Sequence, residues 1–253
     1  MLELLALPGL PMVQPGDDLP ALLAEAIARA GITPREGDVL VVAQKIVSKA
    51  EGRYVDLAVV EPSPTAHELA ATAQKDPRFV EVVLRESRRV VRCRPGVLIV
   101  EHRLGYVMAN AGIDRSNLPP DGEGHEHVLL LPADPDAAAK SLRSALQSLL
   151  GVTLAVVIND SFGRAWRRGT VGVALGAAGL PALIDRRGAP DLFGRALQVT
   201  EIGHADEIAA AASLLMGQAD EARPAVLLRG LALTAPARPA RDLLRPESED
   251  MFR

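Results

Sequence analysis

Apolar positions along this chain come in short runs whose spacing changes from segment to segment. Met1 to Ala6 predicts a strand, closed by the Pro/Gly-rich run Leu7 to Gly16. Asp17 reads as the cap of a helix through Ala30 that stops at Gly31. Val39 to Val42, entered through Gly37-Asp38, predicts a buried strand. Thr65 with Glu68 forms a capping-box pattern for a helix to Lys75. Asp76-Pro77 starts another, carrying Phe79, Val82, Val83 and Val90. Val97–Glu101 and Tyr106–Ala109 pair as a hairpin, and Val128–Leu131 follows as a strand. Asp134 to Leu150 predicts a helix with Pro135 near its start and Gly151 at its end. Val152 to Ile158 is a β-branched run that predicts a strand, followed by a small-residue segment from Thr170 to Leu180. A strand near Ala196 to Glu201, a helix over Asp206 to Met216 and a strand over Ala225 to Leu228 complete the pattern. Hairpins mixed with helices point to an α+β fold with mixed sheets and two intertwined subdomains. No P-loop or Rossmann glycine pattern is present, so neither fold is expected.

Composition narrows the function classes. Aromatics are only 3% of 253 residues, so the core must be built from Ala, Val, Leu and Ile. A net charge of −4, without aromatic platforms beside basic patches, argues against nucleic acid as a partner. Cys93 is alone, which excludes an internal disulfide and Cys-rich metal sites. The N-terminus is too short and acidic for a signal peptide, and Thr170 to Ile184 is too short to span a bilayer. A cytoplasmic protein with no membrane partner is expected. Residues 1–234 read as one unit and 235–253 as a Pro/Arg-rich tail.

Four polar segments beside glycine stand at strand or helix ends, where rigid elements position loops. Only four of the 28 basic residues are lysine, and two of them, Lys45 and Lys49, fall in the first segment, Gln44 to Arg53. Three cations and a hydroxyl there suit phosphate oxygens; a solvated strand end paired to Glu51 is the plainer alternative. In Asn110 to Asn117, Asp114 and Asn117 could serve a hard cation and a nucleotide, or simply form turns. In Asn159 to Gly169, Asp160 and Ser161 offer metal oxygens, and Arg164, Arg167 and Arg168 offer forked donors for carboxylate or phosphate. Trp166, the only tryptophan, reads as a packing anchor before a stacking platform. In Met216 to Arg223, Gly217 is explained as a helix stop, and Gln218, Asp220 and Arg223 can all face solvent. His125-Glu126-His127 looks metal-like but reads as a solvated loop, and Gly172 with Gly176 signals close packing.

Taken together, GDVLVV running into QKIVSKAEGR, then NAGIDRSN, LLPADPD, NDSFGRAWRRG, DLFGRALQVT, ADEIAAAASLLMG and PAVLLRG resemble the coenzyme F420-0:L-glutamate ligase family. These are γ-glutamyl ligases that complete a deazaflavin redox cofactor, and the resemblance runs from about Leu5 to Leu231. It implies GTP bound by Leu10, Pro11, Met12 and Val13, by Gln44, Lys45, Lys49 and Asn117, and by the run Met216, Gly217, Gln218, Ala219, Asp220, Glu221, Ala222 and Arg223. It implies Mg²⁺ or Mn²⁺ on Asp114, Asp160, Ser161 and Gln218, assistance from K⁺, and a homodimer. Ser161 stands where threonine is common, and Gln218 where an acid can occur. Lys49, Arg164 and Arg168 become the catalytic candidates, with F420-0 and L-glutamate as substrates. Some members carry a C-terminal flavin-binding domain of nitroreductase type, so a stand-alone enzyme and one domain of a fusion are both open. Two rival readings stay beside the ligase: an amide ligase for another carboxylate acceptor, and a silent nucleotide-binding module that partners a flavin enzyme.

Overall fold

The computed structural model describes residues 1–116, 118 and 126–251. In chain order the elements are β1 (Glu3–Ala6), α1 (Leu19–Arg29), β2 (Val39–Ala43), α2 (Gln44–Ala50), β3 (Tyr54–Asp56), α3 (Pro64–Ala73), α4 (Pro77–Arg85), β4 (Ser87–Arg94), β5 (Val97–His102), β6 (Val107–Ala109) and β7 (His127–Leu129). Then come α5 (Pro135–Leu150), β8 (Ala155–Arg164), β9 (Arg167–Ala178), β10 (Ile184–Asp185), β11 (Glu201–Ile202), α6 (His204–Met216) and β12 (Ala225–Arg229). They form two compact units that interleave along the chain, Met1–Ala50 with Asp134–Arg245, and Glu51–Ala133 with Pro246–Arg253. The fold is the mixed α and β architecture expected.

The first unit is built on a five-stranded sheet in the order β1-β12-β2-β8-β9. Only β2 and β8 run parallel, with Val39 opposite Ala155 and Ala43 opposite Asn159. One face packs on α6 through Val39, Val41, Ala155, Val157, Ala174, Ala177, Val226 and Leu228. The helix answers with Ala205, Ile208, Ala209, Ala212 and Met216, so small side chains bring it close to the sheet. Alternation along the strands turns Leu40, Val42, Val156 and Ile158 to the other face, where α5 packs on β8 and β9 and α1 packs on α5. The GxxxG glycines explain the close approach. A side chain on Gly172 would strike Ser213 and the Ala209 carbonyl of α6, and one on Gly176 would strike the Pro135 carbonyl of α5. At the sheet's lower end the buried Asp38 accepts two bonds from Arg229, at 2.9 and 2.7 Å, and one from the Arg35 backbone at 2.9 Å.

The second unit packs α3 and α4 over the β4-β5-β6 sheet and the β3-β7 pair. Phe79, Val80, Val82 and Val83 of α4 meet Leu98 and Val100 of β5 in its core, with Leu57, Ile113 and Val128. No helix among the described residues is long and apolar enough to cross a membrane.

Several expectations shift in detail. Asp18 caps α1, with its carboxylate on the Ala21 N–H, while Asp17 holds the Gln14 N–H of the preceding turn. Ser63 caps α3 because Pro64 takes the first helical position, which displaces the Thr65–Glu68 box by two residues. The helix carrying Phe79 ends at Arg85, and Val90 belongs to strand β4, which pairs with β5. The strand expected to end at Ile158 continues to Arg164 and turns back as β9, so the small-residue segment is itself a strand.

Candidate functional site

The parallel pair β2–β8 sets the site of the first unit, because ligands favour the carboxyl ends of such strands. Beyond Ala43, β2 passes directly into α2, which carries Gln44, Lys45 and Lys49. A solvated strand end, the plainer alternative for this segment, does not hold. Ser48 donates to Gln44 Oε1 at 2.9 Å, both are buried, and Lys49 is only 5% exposed while Lys45 is half-buried. A lysine buried to this degree is desolvated, so it acts more strongly on an anion brought to it than a surface lysine would. The loop carrying Leu10, Pro11, Met12 and Val13 reaches the same helix, since Gly16 N–H donates to the Ala50 carbonyl at 2.9 Å. Val13 is buried and Met12 is 66% exposed, so the loop is anchored at one residue and open at its neighbour.

From the neighbouring strand end, β8 presents Asn159, Asp160 and Ser161, then leaves the core as an exposed ribbon with β9. Ser161 N–H donates to Asp160 Oδ1 at 2.8 Å, which holds that carboxylate against the strand. Arg164, Arg167 and Arg168 lie exposed at the ribbon's end, and Arg164 donates to the Arg168 carbonyl at 3.2 Å. Trp166 anchors no core among the described residues. It sits in the turn with φ of 58° and is 81% exposed, because the ribbon extends past any core that could receive it.

The third component arrives through α6. Asn159 Nδ2 donates to Ser213 Oγ at 3.2 Å and to Met216 Sδ at 3.3 Å, which fixes the helix end beside β8. Gly217 ends the helix with φ of 75°, and the loop Gln218 to Arg223 follows on the surface. Met216 is buried in the core and leaves only its backbone for a ligand. Glu221 accepts from the Ala219 N–H at 2.9 Å. That bond and those from Glu221's own N–H and Gln218 hold its carboxyl below the usual range. The structure therefore brings together Gln44, Lys45, Lys49, Asp160, Ser161 and the Met216–Arg223 segment within one unit. Sequence reasoning assigned Asn159 no task, although an amide at the end of the inward series Ala155, Val157, Asn159 was a visible signal.

In the second unit, Asp114 exchanges backbone bonds with Leu129 at 2.9 Å each way. It follows a run of positive φ at Asn110 (51°), Ala111 (54°) and Gly112 (68°). Two successive non-glycine residues in the left-handed region are costly, and such strain gathers at functional segments. Asn117 lies outside the described residues, as does His125. Glu126 pairs with Arg78 at 3.1 Å and Arg115 at 3.5 Å, and His127 stands edge-on to Tyr54, so these two serve local packing.

Comparison with known proteins gives one answer over nearly the whole chain. A family model described as F420-0:Gamma-glutamyl ligase matches residues 9–230. The Coenzyme F420:L-glutamate ligase of Methanopyrus kandleri is 49% identical over 246 residues, covering 95% of this chain and 93% of that protein. Its counterpart in Methanothermobacter thermautotrophicus is 44% identical over 257 residues, covering 100% and 99%. That of Methanocaldococcus jannaschii is 40% identical, covering 96% and 94%. With the lysine helix, the acid-bearing strand end and the loop after α6 gathered on one sheet, and with likeness of this extent, the chain belongs to the F420-0:gamma-glutamyl ligase family.

Proposed function

We infer that this chain is the ligase that joins L-glutamate to coenzyme F420-0 through an amide bond, and we propose GTP as the nucleotide that drives it. Family membership carries the amide-forming ligase activity. The observation that best supports the nucleotide step is the arrangement at the ends of β2 and β8. The buried Lys49, the half-buried Asp160 and the loop after α6 sit on elements joined by the β2–β8 pairing and by the bond from Asn159 to Met216.

A carboxylate is too poor an electrophile for an amine to attack directly. In the proposed sequence, an oxygen of the F420-0 terminal carboxylate attacks the γ-phosphorus of GTP. The bond to the bridging oxygen breaks, and GDP leaves with that electron pair. The glutamate amine then attacks the acyl carbon of the mixed anhydride, inorganic phosphate departs, and the amine loses a proton. Such transfers need positioning and charge neutralisation more than covalent help from protein. Lys49 and Lys45 supply fixed positive charge to the triphosphate, and the backbone of Leu10 to Val13 and of Met216 to Arg223 lines it. Arg164 and Arg168, with their planar forks, suit the carboxylates of glutamate or the phosphodiester of the acceptor. The proposed sequence calls for no covalent nucleophile from the protein.

The donor chemistry fits Mg²⁺ or Mn²⁺. Asp160 and Ser161 present a carboxylate and a hydroxyl, and Gln218 an amide, all hard oxygens. Successive strand residues face opposite ways, so Asp160 and Ser161 fit two cations better than one. We assign Asp114 the same class of role and Asn117 a nucleotide contact, with K⁺ as a further aid. When bound, the divalent ions would neutralise charge on the triphosphate. A homodimer is proposed as well, supported by exposed Leu192, Phe193, Val199 and Trp166 in the first unit, and residence in the cytoplasm.

The test is GDP release from GTP in the presence of Mn²⁺. Release over many turnovers should require both F420-0 and L-glutamate. Release that needs neither would replace the ligase by a nucleotidase, and none at all would leave only a silent nucleotide-binding module. Asp160→Ala should abolish release while circular dichroism stays unchanged; retained release would remove Asp160 from the metal site.

A further inference from the structure

Asn159 carries an unsatisfied group where the protein can least hide one. It is 6% exposed and lies at the end of the parallel pair, opposite Ala43, from which α2 departs. Ala155 and Val157 of the same strand face α6, so alternation puts Asn159 on that face too. Its Nδ2 is satisfied by Ser213 and Met216, whereas its Oδ1 is buried without a partner among the described residues. The pairing with β9 shifts register between Ile158 and Asn159, an irregularity of the kind that re-aims side chains beside active sites. Ser213 and Ala209 of the helix it touches already lie close against Gly172, with no room for a side chain between them.

For stability alone this residue is a poor choice. A buried acceptor left unpaired carries its full desolvation cost, and an apolar side chain of similar size avoids it. We propose that Asn159 is a positioning residue of the ligase site. Its amide N–H groups fix the end of α6, and with it the Gly217–Arg223 loop, beside the strand that bears Asp160 and Ser161. Its Oδ1 is held in reserve for a hydrogen bond from that loop once nucleotide binds there. The inference rests on the reading of the loop as nucleotide-binding.

Asn159→Leu separates the two roles. Melting temperature should hold or rise, while the Kd for GTP with Mg²⁺, measured by calorimetry without turnover, should weaken about tenfold, the effect of roughly one lost hydrogen bond to the loop that holds the nucleotide. In turnover the KM for GTP should rise by a similar factor, with kcat changed far less. Ser213→Ala, which removes one Nδ2 partner, should give a smaller rise, about threefold, and it tests the tether even if Asn159→Leu folds poorly. A lower melting temperature with unchanged GTP affinity in Asn159→Leu would make the amide purely structural and overturn the proposal, as would unchanged affinity in Ser213→Ala. If the wild-type chain binds no GTP, the nucleotide reading fails and this inference with it; if it binds GTP and the variants bind equally well, only this inference fails.

Discussion

Lys49 concentrates the argument about charge. Its ammonium is nearly removed from solvent at the last turn of α2, where the helix's own dipole also favours a cation. Lys49→Met keeps the stem and removes the charge. It should lower kcat/KM for GTP at least about 100-fold, near 2.7 kcal/mol of transition-state stabilisation, without lowering the melting temperature. Steady-state kinetics beside a thermal melt checks this, and a drop in stability without a kinetic loss would make Lys49 a structural residue. Glu86 makes a different prediction, about acid. Burial pushes its carboxyl up, but the neighbouring His102 imidazole and the Arg103 and Arg53 guanidinium groups outweigh burial and leave it lowered. Arg103 lies 3.1 Å away, Arg53 3.4 Å and His102 3.5 Å. A lowered carboxyl contributes stability that is complete above its unfolded value, about 4.3, and is lost as pH falls through the folded value. Glu86→Gln should therefore lose stability at neutral pH and flatten the acid limb of the stability–pH curve. An unchanged acid limb would exclude this cluster as its source.

At the scale of elements, small residues decide how helices meet the sheet. Gly172→Ala forces a methyl against Ser213 and the Ala209 carbonyl, so it should destabilise by about 1–3 kcal/mol and lower the melting temperature by several degrees. Gly163→Ala, with open space around it, should change stability by less than about 0.5 kcal/mol. Equal effects at the two positions would refute the close-packing account. The contrast also shows what the chain discloses in advance. Val39–Val42, Asp134–Leu150 and Ala225–Leu228 were legible because their apolar spacing and flanking caps agree with the packing each element meets. The ribbon beyond Ile158 was not, since Asn159 to Arg164 is polar and small, and its strand form comes from pairing with β9 rather than from propensity. Ser87–Arg94 was hidden for a related reason: its arginines face solvent, and only the β5 ladder reveals it as a strand. Of the candidate site, Lys45, Lys49, Asp160 and Ser161 stood out by type and clustering. The exposure of Trp166 and the burial of Lys49 depend on tertiary surroundings and could not be read from spacing.

Across the whole molecule, the scarcity of aromatics becomes a packing strategy, with alanines bringing α6 onto the sheet in place of large rings filling a gap. The chain's far end is tied to the same body. Buried Asp136 accepts from Ala177 N at 2.9 Å, Ala240 N at 2.8 Å, and Arg241 N and Nε at 3.2 and 3.0 Å. Asp136→Ala strands those donors and should cost about 3 kcal/mol, a fall of roughly 6–12 °C in Tm. A truncation at residue 234, which removes Ala240 and Arg241, should be destabilised in the same direction, and a truncated chain as stable as the full one would show that this clamp contributes nothing. The account as a whole stands on glutamate being joined to F420-0. Mass spectrometry of F420-0 incubated with the protein, GTP, Mn²⁺, K⁺ and L-glutamate tests that most directly. The expected result is a product heavier by one or more glutamyl units, formed with GDP and absent when L-glutamate is withheld; unmodified F420-0 after GTP has been consumed would contradict it.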